Sequence, residues 1–152
     1  MNSAAKQLDR MMEAMQRVEQ DLRDYRWMSE KVAIYKKKYE EQNIVIGTPK
    51  YGIEATLPKP SDVSDTTFRE VQKLLRIRER KDRYEQKLKK IEKAVASLTD
   101  ERERAVAEGL MDGERLYMIA QQLNVTRQTV YELKKSTIRK LAIEMYGDEF
   151  TT

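Results

Sequence analysis

Proline and glycine are spread so unevenly along this chain that their positions alone set its coarse plan. All three prolines, Pro49, Pro58 and Pro60, and two of the five glycines, Gly47 and Gly52, lie between Asn43 and Thr66. The stretches 1–42 and 67–98 on either side contain neither residue. Proline removes a backbone donor and clashes inside a helix, and glycine weakens one, so two long segments free of both read as long helices around a break.

Apolar spacing supports that reading. Leu8, Met11, Met15, Val18, Leu22 and Tyr25 recur at intervals of three and four, forming one seam along a helix. The next heptad position would be Ser29, so the seam is expected to shift through Met28 and resume at Val32, Tyr35 and Tyr39, a stammer that overwinds a coiled coil. A helix over most of residues 4–42 would be on the order of 55–60 Å long and needs a partner for its seam. After the break, Thr67 and Glu70 form a capping box, Phe68, Val71, Leu74 and Leu75 open a second amphipathic run, and Tyr84, Leu88, Ile91, Val95 and Leu98 continue it. The two helices pair either as an antiparallel hairpin or between chains. The methionines of the first seam favour adaptable packing, as in an oligomeric or partner-binding surface.

With 37% charged and 39% hydrophobic residues, the composition suits long helices that bury a narrow stripe rather than a large round core. No apolar run approaches the length of a membrane span, and the start, MNSAAKQLDRMMEAM, lacks the apolar core of a secretory signal. A cytoplasmic protein is expected. Cysteine and histidine are absent, which excludes disulfides, thiolate nucleophiles, imidazole bases and the usual zinc ligands. The carboxylates lie on charged helix faces without a companion base, so neither an enzyme nor a cofactor or metal is expected. Gly47 to Gly52 has the glycine spacing of a phosphate-binding loop, but Ile53 and Glu54 replace the Lys-Ser/Thr that such a loop needs. The apolar triplet Ile44, Val45, Ile46 reads with the prolines as an extended loop or short hairpin.

From Leu98 the grain changes. Thr99 is an N-cap candidate, followed by acids near the helix N-terminus. Helices are expected over Asp100–Met111, over Glu114–Leu123 after the break at Asp112-Gly113, and over Thr126–Met145, ending before Gly147. The last two, joined through Asn124-Val125, have the lengths and short connection of a helix-turn-helix. Val130, Leu133, Ile138 and Leu141, with Leu116, Ile119, Ala120 and Leu123, form its buried face. Ala120 sits where the two helices cross. Arg127, Gln128, Tyr131 and Glu132 stay exposed at the start of the second helix, where such side chains read base edges in a major groove. Thr126, Thr129, Lys134, Lys135, Arg139 and Lys140 are candidates for phosphate contacts, the threonines also for caps.

Leu98-Thr99, Leu116, Ile119-Ala120, the run Gln122 to Arg127 and Arg139-Lys140-Leu141 together resemble the promoter-reading region four of primary sigma factors. The likeness is unbroken from Arg115 to Leu141 and looser from Leu98 to Tyr146. It implies that Arg127, Gln128, Tyr131 and Glu132 contact a promoter element. Thr129, Tyr131 and Glu132 stand where sigma factors usually carry basic or amide residues, which implies a different DNA preference. Tyr117 and Met118 replace common acids and are candidates for a partner-facing surface. Nothing resembles the aromatic-rich domain that melts DNA, so a complete sigma factor is not expected. The order of long helices and then a sigma-like helix-turn-helix is similar to phage and prophage late-gene activators of the ArpU and RinA type.

Charge patterning favours DNA binding over an inert bundle. Residues 99–114 carry 2 basic and 6 acidic residues, whereas 126–141 carries 5 basic and 1 acidic. Residues 67–98 carry 11 basic and 5 acidic residues, which reads first as a solvated face and second as an additional phosphate-binding surface. The expected protein is all-α, with a helical hairpin or coiled-coil arm over 1–97 (loop 43–66) and a sigma-region-four-like helix-turn-helix domain over 98–152. Its expected role is a phage or prophage-type transcriptional activator that binds double-stranded promoter DNA and recruits host RNA polymerase, as a homo-oligomer through the long helices if these pair between chains. The alternative is a DNA-packaging subunit like a small terminase, although there the DNA-binding part typically comes first.

Overall fold

The computed structural model describes residues 3–47 and 65–151, and the regular elements among them are all α-helices: α1 (Ser3–Gly47), α2 (Asp65–Ala96), α3 (Glu101–Met111), α4 (Leu116–Leu123) and α5 (Arg127–Thr151). The chain forms two compact units. One joins residues 1–28 to 87–152, and the other comprises 29–86.

Within the second unit the rings of Tyr35 on α1 and Tyr84 on α2 stack with centroids 6.2 Å apart. Within the first, the Tyr25 hydroxyl of α1 donates to Glu92 of α2 at 2.6 Å. Burial and that carboxylate push the Tyr25 pKa up to about 12. The α1 seam therefore finds α2 of its own chain. Positions 14, 18, 21, 25, 28, 32, 35 and 39 of α1 alternate spacings of four and three, and all are buried or half-buried. No stammer is required. The irregularity expected near Tyr25 arises only when Asp21 is passed over because it is charged, and Leu8, the first residue of the expected seam, is 60% exposed.

Asp21 is buried because its partners are built in. It accepts a hydrogen bond from the Tyr146 hydroxyl of α5 and pairs with the Lys87 ammonium of α2 at 3.1 Å. Lys87 also donates to the Tyr146 oxygen at 2.7 Å. Burial alone would lower the Lys87 pKa, but its bonds to Tyr146 and Asp21 raise it above the ordinary value. Burial and Asp21 raise that of Tyr146. The Arg17 guanidinium lies 4.0 Å and the Lys90 ammonium 4.2 Å from the Tyr146 ring centroid, both over its negative face. Helices α1, α2 and α5 thus meet at one aromatic residue.

Helices α3, α4 and α5 pack on one another around Val106, Ile119, Ala120 and Val130, with Leu110, Leu116, Leu123, Val125 and Leu133 against them. Burying each of the larger aliphatic side chains stabilises by about 1.5–3 kcal/mol. At the crossing of α3 and α4, a Cβ on Gly109 would lie 2.7 Å from Ile119 Cδ1, so only glycine fits there without displacement.

Several boundaries differ from the sequence expectation. Helix α1 continues through Ile44, Val45 and Ile46 to Gly47, where an extended loop was expected. The first proline is Pro49, and nothing before it removes a helical hydrogen bond. Residues 48–64, which hold most of the expected loop and of the Gly47–Gly52 spacing, lie outside the described residues. Helix α2 opens at Asp65, an acid suited to the positive end of the helix dipole, which puts Thr67 inside the first turn rather than at the cap. The N-cap of α3 is Asp100 rather than Thr99: its carboxylate accepts from the Arg102 and Glu103 amides at 2.8 and 3.2 Å. Helix α5 runs through Gly147 instead of stopping before it. A glycine costs a helix about 1 kcal/mol, and the buried neighbours Met145 and Tyr146 offset that.

Candidate nucleic-acid interface

The turn between α4 and α5 is specified locally. Asn124 adopts φ 57° and ψ 43°, the left-handed region that asparagine tolerates better than most residues. Its amide donates to the Gln121 carbonyl at 3.2 Å, and the Val125 amide donates to the Ala120 carbonyl at 3.0 Å. That is the Schellman pattern, and it satisfies two carbonyls that the end of α4 would otherwise orphan. Val125 then packs on the core, and Thr126 caps α5 by accepting from the Thr129 amide at 3.2 Å. The expected start of α4 at Glu114 moves to Leu116, with Arg115 extended at the N-cap position and Gly113 at φ 79° in the preceding turn.

This geometry presents the first turns of α5 to solvent. Arg127, Gln128, Tyr131 and Glu132 are all exposed. Gln128 donates to Glu132 across one turn at 3.5 Å, and the Arg127 guanidinium stands 5.8 Å from the Tyr131 ring centroid. A cleft of about 570 Å³ opens between α4 and α5, with Tyr117, Gln121, Arg127 and Tyr131 along it. Tyr117 is 59% exposed. Thr126 also donates to the Thr129 hydroxyl at 2.8 Å, so the two threonines serve the cap.

The basic residues of α5 fall into two groups. Lys135 and Arg139 are exposed and form no ion pair among the described residues. Lys134 and Lys140 are engaged. Lys140 donates to Glu103, a carboxylate of α3 that is 3% exposed and also accepts from Ser136 at 2.7 Å. Lys134 donates to Glu19 of α1 at 2.8 Å. That bond holds the Glu19 pKa below the usual carboxylate range. Two of the cations read as phosphate ligands are therefore held by acids of other helices. The charge contrast between 99–114 and 126–141 is accordingly joined at Glu103 and Lys140 as well as segregated.

Sequence reasoning did not find Glu103 or Glu19. Glu103 stands on the same stripe as Val106, Ala107 and Leu110, three, four and seven residues on, and an acid on an apolar stripe is the signal that marks a buried ion pair. Glu19 carries no such signal, because its partner lies 115 residues away.

Residues 96–145 match the model of a family described as bacterial regulatory proteins, luxR family. Comparison with curated proteins and with solved structures finds no match. The matched residues span the end of α2, all of α3 and α4 and most of α5, and thus the whole turn built on Asn124. Helix-turn-helix domains of this type are close relatives of the sigma region-four type, so the resemblance read from the sequence holds at the level of the domain. Residues 96–145 are a helix-turn-helix DNA-binding domain of the luxR type.

Proposed function

We propose that this protein is a transcriptional activator that binds promoter DNA through the first turns of α5 and recruits RNA polymerase, serving phage or prophage late genes. The luxR-type domain supports a DNA-binding transcriptional regulator. One observation carries the finer reading of the contact: Arg127, Gln128, Tyr131 and Glu132 project together from the capped N-terminus of α5 while the rest of the domain holds that helix in place. Arg127 suits the O6 and N7 acceptors of guanine, Gln128 the N6 and N7 of adenine, and Glu132 the N4 donor of cytosine. Lys135 and Arg139 follow on the exposed face and supply sequence-independent phosphate contacts. The activator assignment rests on the likeness to late-gene activators, with a sigma-like reading head behind long helices. Tyr117 and Met118, exposed on α4, are the proposed polymerase-facing residues.

In vitro selection of bound DNA, repeated with Arg127→Ala and Gln128→Ala, tests the contact. Each variant is expected to keep its fold, lose the base preference at one position and weaken the selected site by about 1–3 kcal/mol. Selection that recovers no sequence, or the same sequence from all three proteins, overturns the assignment. Transcription from the selected site with purified polymerase, with and without the protein, tests activation.

A further inference from the structure

Lys134 occupies the second turn of α5, between the exposed Tyr131 and the buried Ile138. Its ammonium does not point into open solvent. It meets Glu19 Oε1 at 2.8 Å, beside a groove of about 430 Å³ whose walls include Met12 and Met15 of α1 and Tyr131 and Lys135 of α5. A carboxylate from a helix more than a hundred residues away thus sits at the edge of the surface that faces DNA in the reading above.

The same Glu19 oxygen also accepts from Arg23 of α1, one helical turn on, at 3.0 Å. That second bond matters. A carboxylate with a single cation partner is orphaned when the partner leaves, whereas Glu19 keeps Arg23. Both members of the pair retain access to water, with 22% of the Lys134 side chain and 32% of the Glu19 side chain exposed. An ion pair of this exposure contributes little net stability, so its exchange for another anion is inexpensive. The flexible lysine stem lets one ammonium serve either acceptor.

We infer that Glu19 is an intramolecular competitor of the DNA backbone: it holds Lys134 in the free protein, and a phosphate of bound DNA displaces it. Resting on the DNA-binding reading, the proposal makes α1 a brake on affinity built into the domain, and Glu19 a positioning residue that acts through Lys134. Removing Glu19 releases the lysine in advance and strengthens binding to DNA of any sequence, because a phosphate contact carries no sequence information.

The test measures binding of the full-length chain to a generic duplex of roughly three helical turns, about 30 base pairs, at low salt. Glu19→Gln is expected to tighten binding about fivefold, the scale of one partly exposed ion pair. Glu19→Ala, which removes the same charge by another route, is expected to match it, with thermal melting as the check on folding. In the Lys134→Ala background, Glu19→Gln is expected to change nothing. The inference is overturned if neither Glu19 variant gains affinity, or if the gain persists without Lys134, since the effect is then general repulsion between an acid and DNA. Binding by the wild type without a gain in the variants refutes the brake alone, whereas no binding by any of the proteins at any salt refutes the DNA-binding reading with it.

Discussion

Helix α5 has two ends in two different surroundings. Near its start, Arg127, Gln128, Tyr131 and Glu132 are exposed, and their contacts with one another span a single helical turn. Toward its end, Leu141, Ala142, Met145 and Tyr146 are buried, and Tyr146 holds partners from both α1 and α2. One secondary-structure element thus provides an exposed edge, the proposed DNA contact, and an anchor. The difference teaches that the two ends of α5 are held by different means. The helix-turn-helix core fixes the start of α5, and residues far away in the chain fix its finish.

The sharpest way to break the comparison is at the anchor. Tyr146→Ala removes a large buried ring and leaves Asp21 without one of its two hydrogen-bonded partners, and it is expected to cost about 3–5 kcal/mol. Chemical denaturation measures this. Because the reading edge is untouched, the fraction that stays folded is expected to select the same DNA sequence as the wild type. Between the two ends lies the crossing of α4 and α5. Ala120→Leu forces a branched side chain into the packed cluster of Val106, Ile119 and Val130, with an expected loss of about 1–3 kcal/mol and of DNA retention together. Unchanged melting and unchanged DNA binding in that variant would contradict the helix-turn-helix assignment.

The smallest expected effect sits where the two surroundings meet, at Glu19 and Lys134. The folded-state pKa of Glu19 is depressed, so the pair contributes stability above the usual carboxylate range. That contribution is lost as the pH falls through the lowered value. For a pair this exposed it amounts to under about 1 kcal/mol. Melting temperatures of wild type and Glu19→Gln, compared across the acid range, are expected to converge as the carboxylate protonates. A difference that stays constant with pH would exclude the ion pair as its source.

The pattern of legibility follows the same division. The turn at Asn124-Val125, the cap at Thr126, the break at Asp112-Gly113 and the exposed set at the start of α5 could all be read from the chain. Each depends on residues within a few positions of one another. The regular seam of α1 was obscured because Asp21 is charged, and its burial makes sense only with Tyr146 and Lys87 beside it. The same holds for Lys134 and Lys140, which look like free cations in the sequence and are held by Glu19 and Glu103 in the fold.

Although several helix ends, at Gly47 and beyond Gly147 among them, differ from the expectation, sequence alone therefore determined the helical class, the turn at Asn124 and the helix-turn-helix it joins. These follow from backbone chemistry and short-range periodicity, in which proline, glycine, caps and apolar spacing act within one or two turns. Only the tertiary structure decided which charges are available and which are spent. An ion pair between residues 19 and 134, or 21 and 87, carries no local signature: its existence depends on which faces meet, and burial makes the partner obligatory only for Asp21.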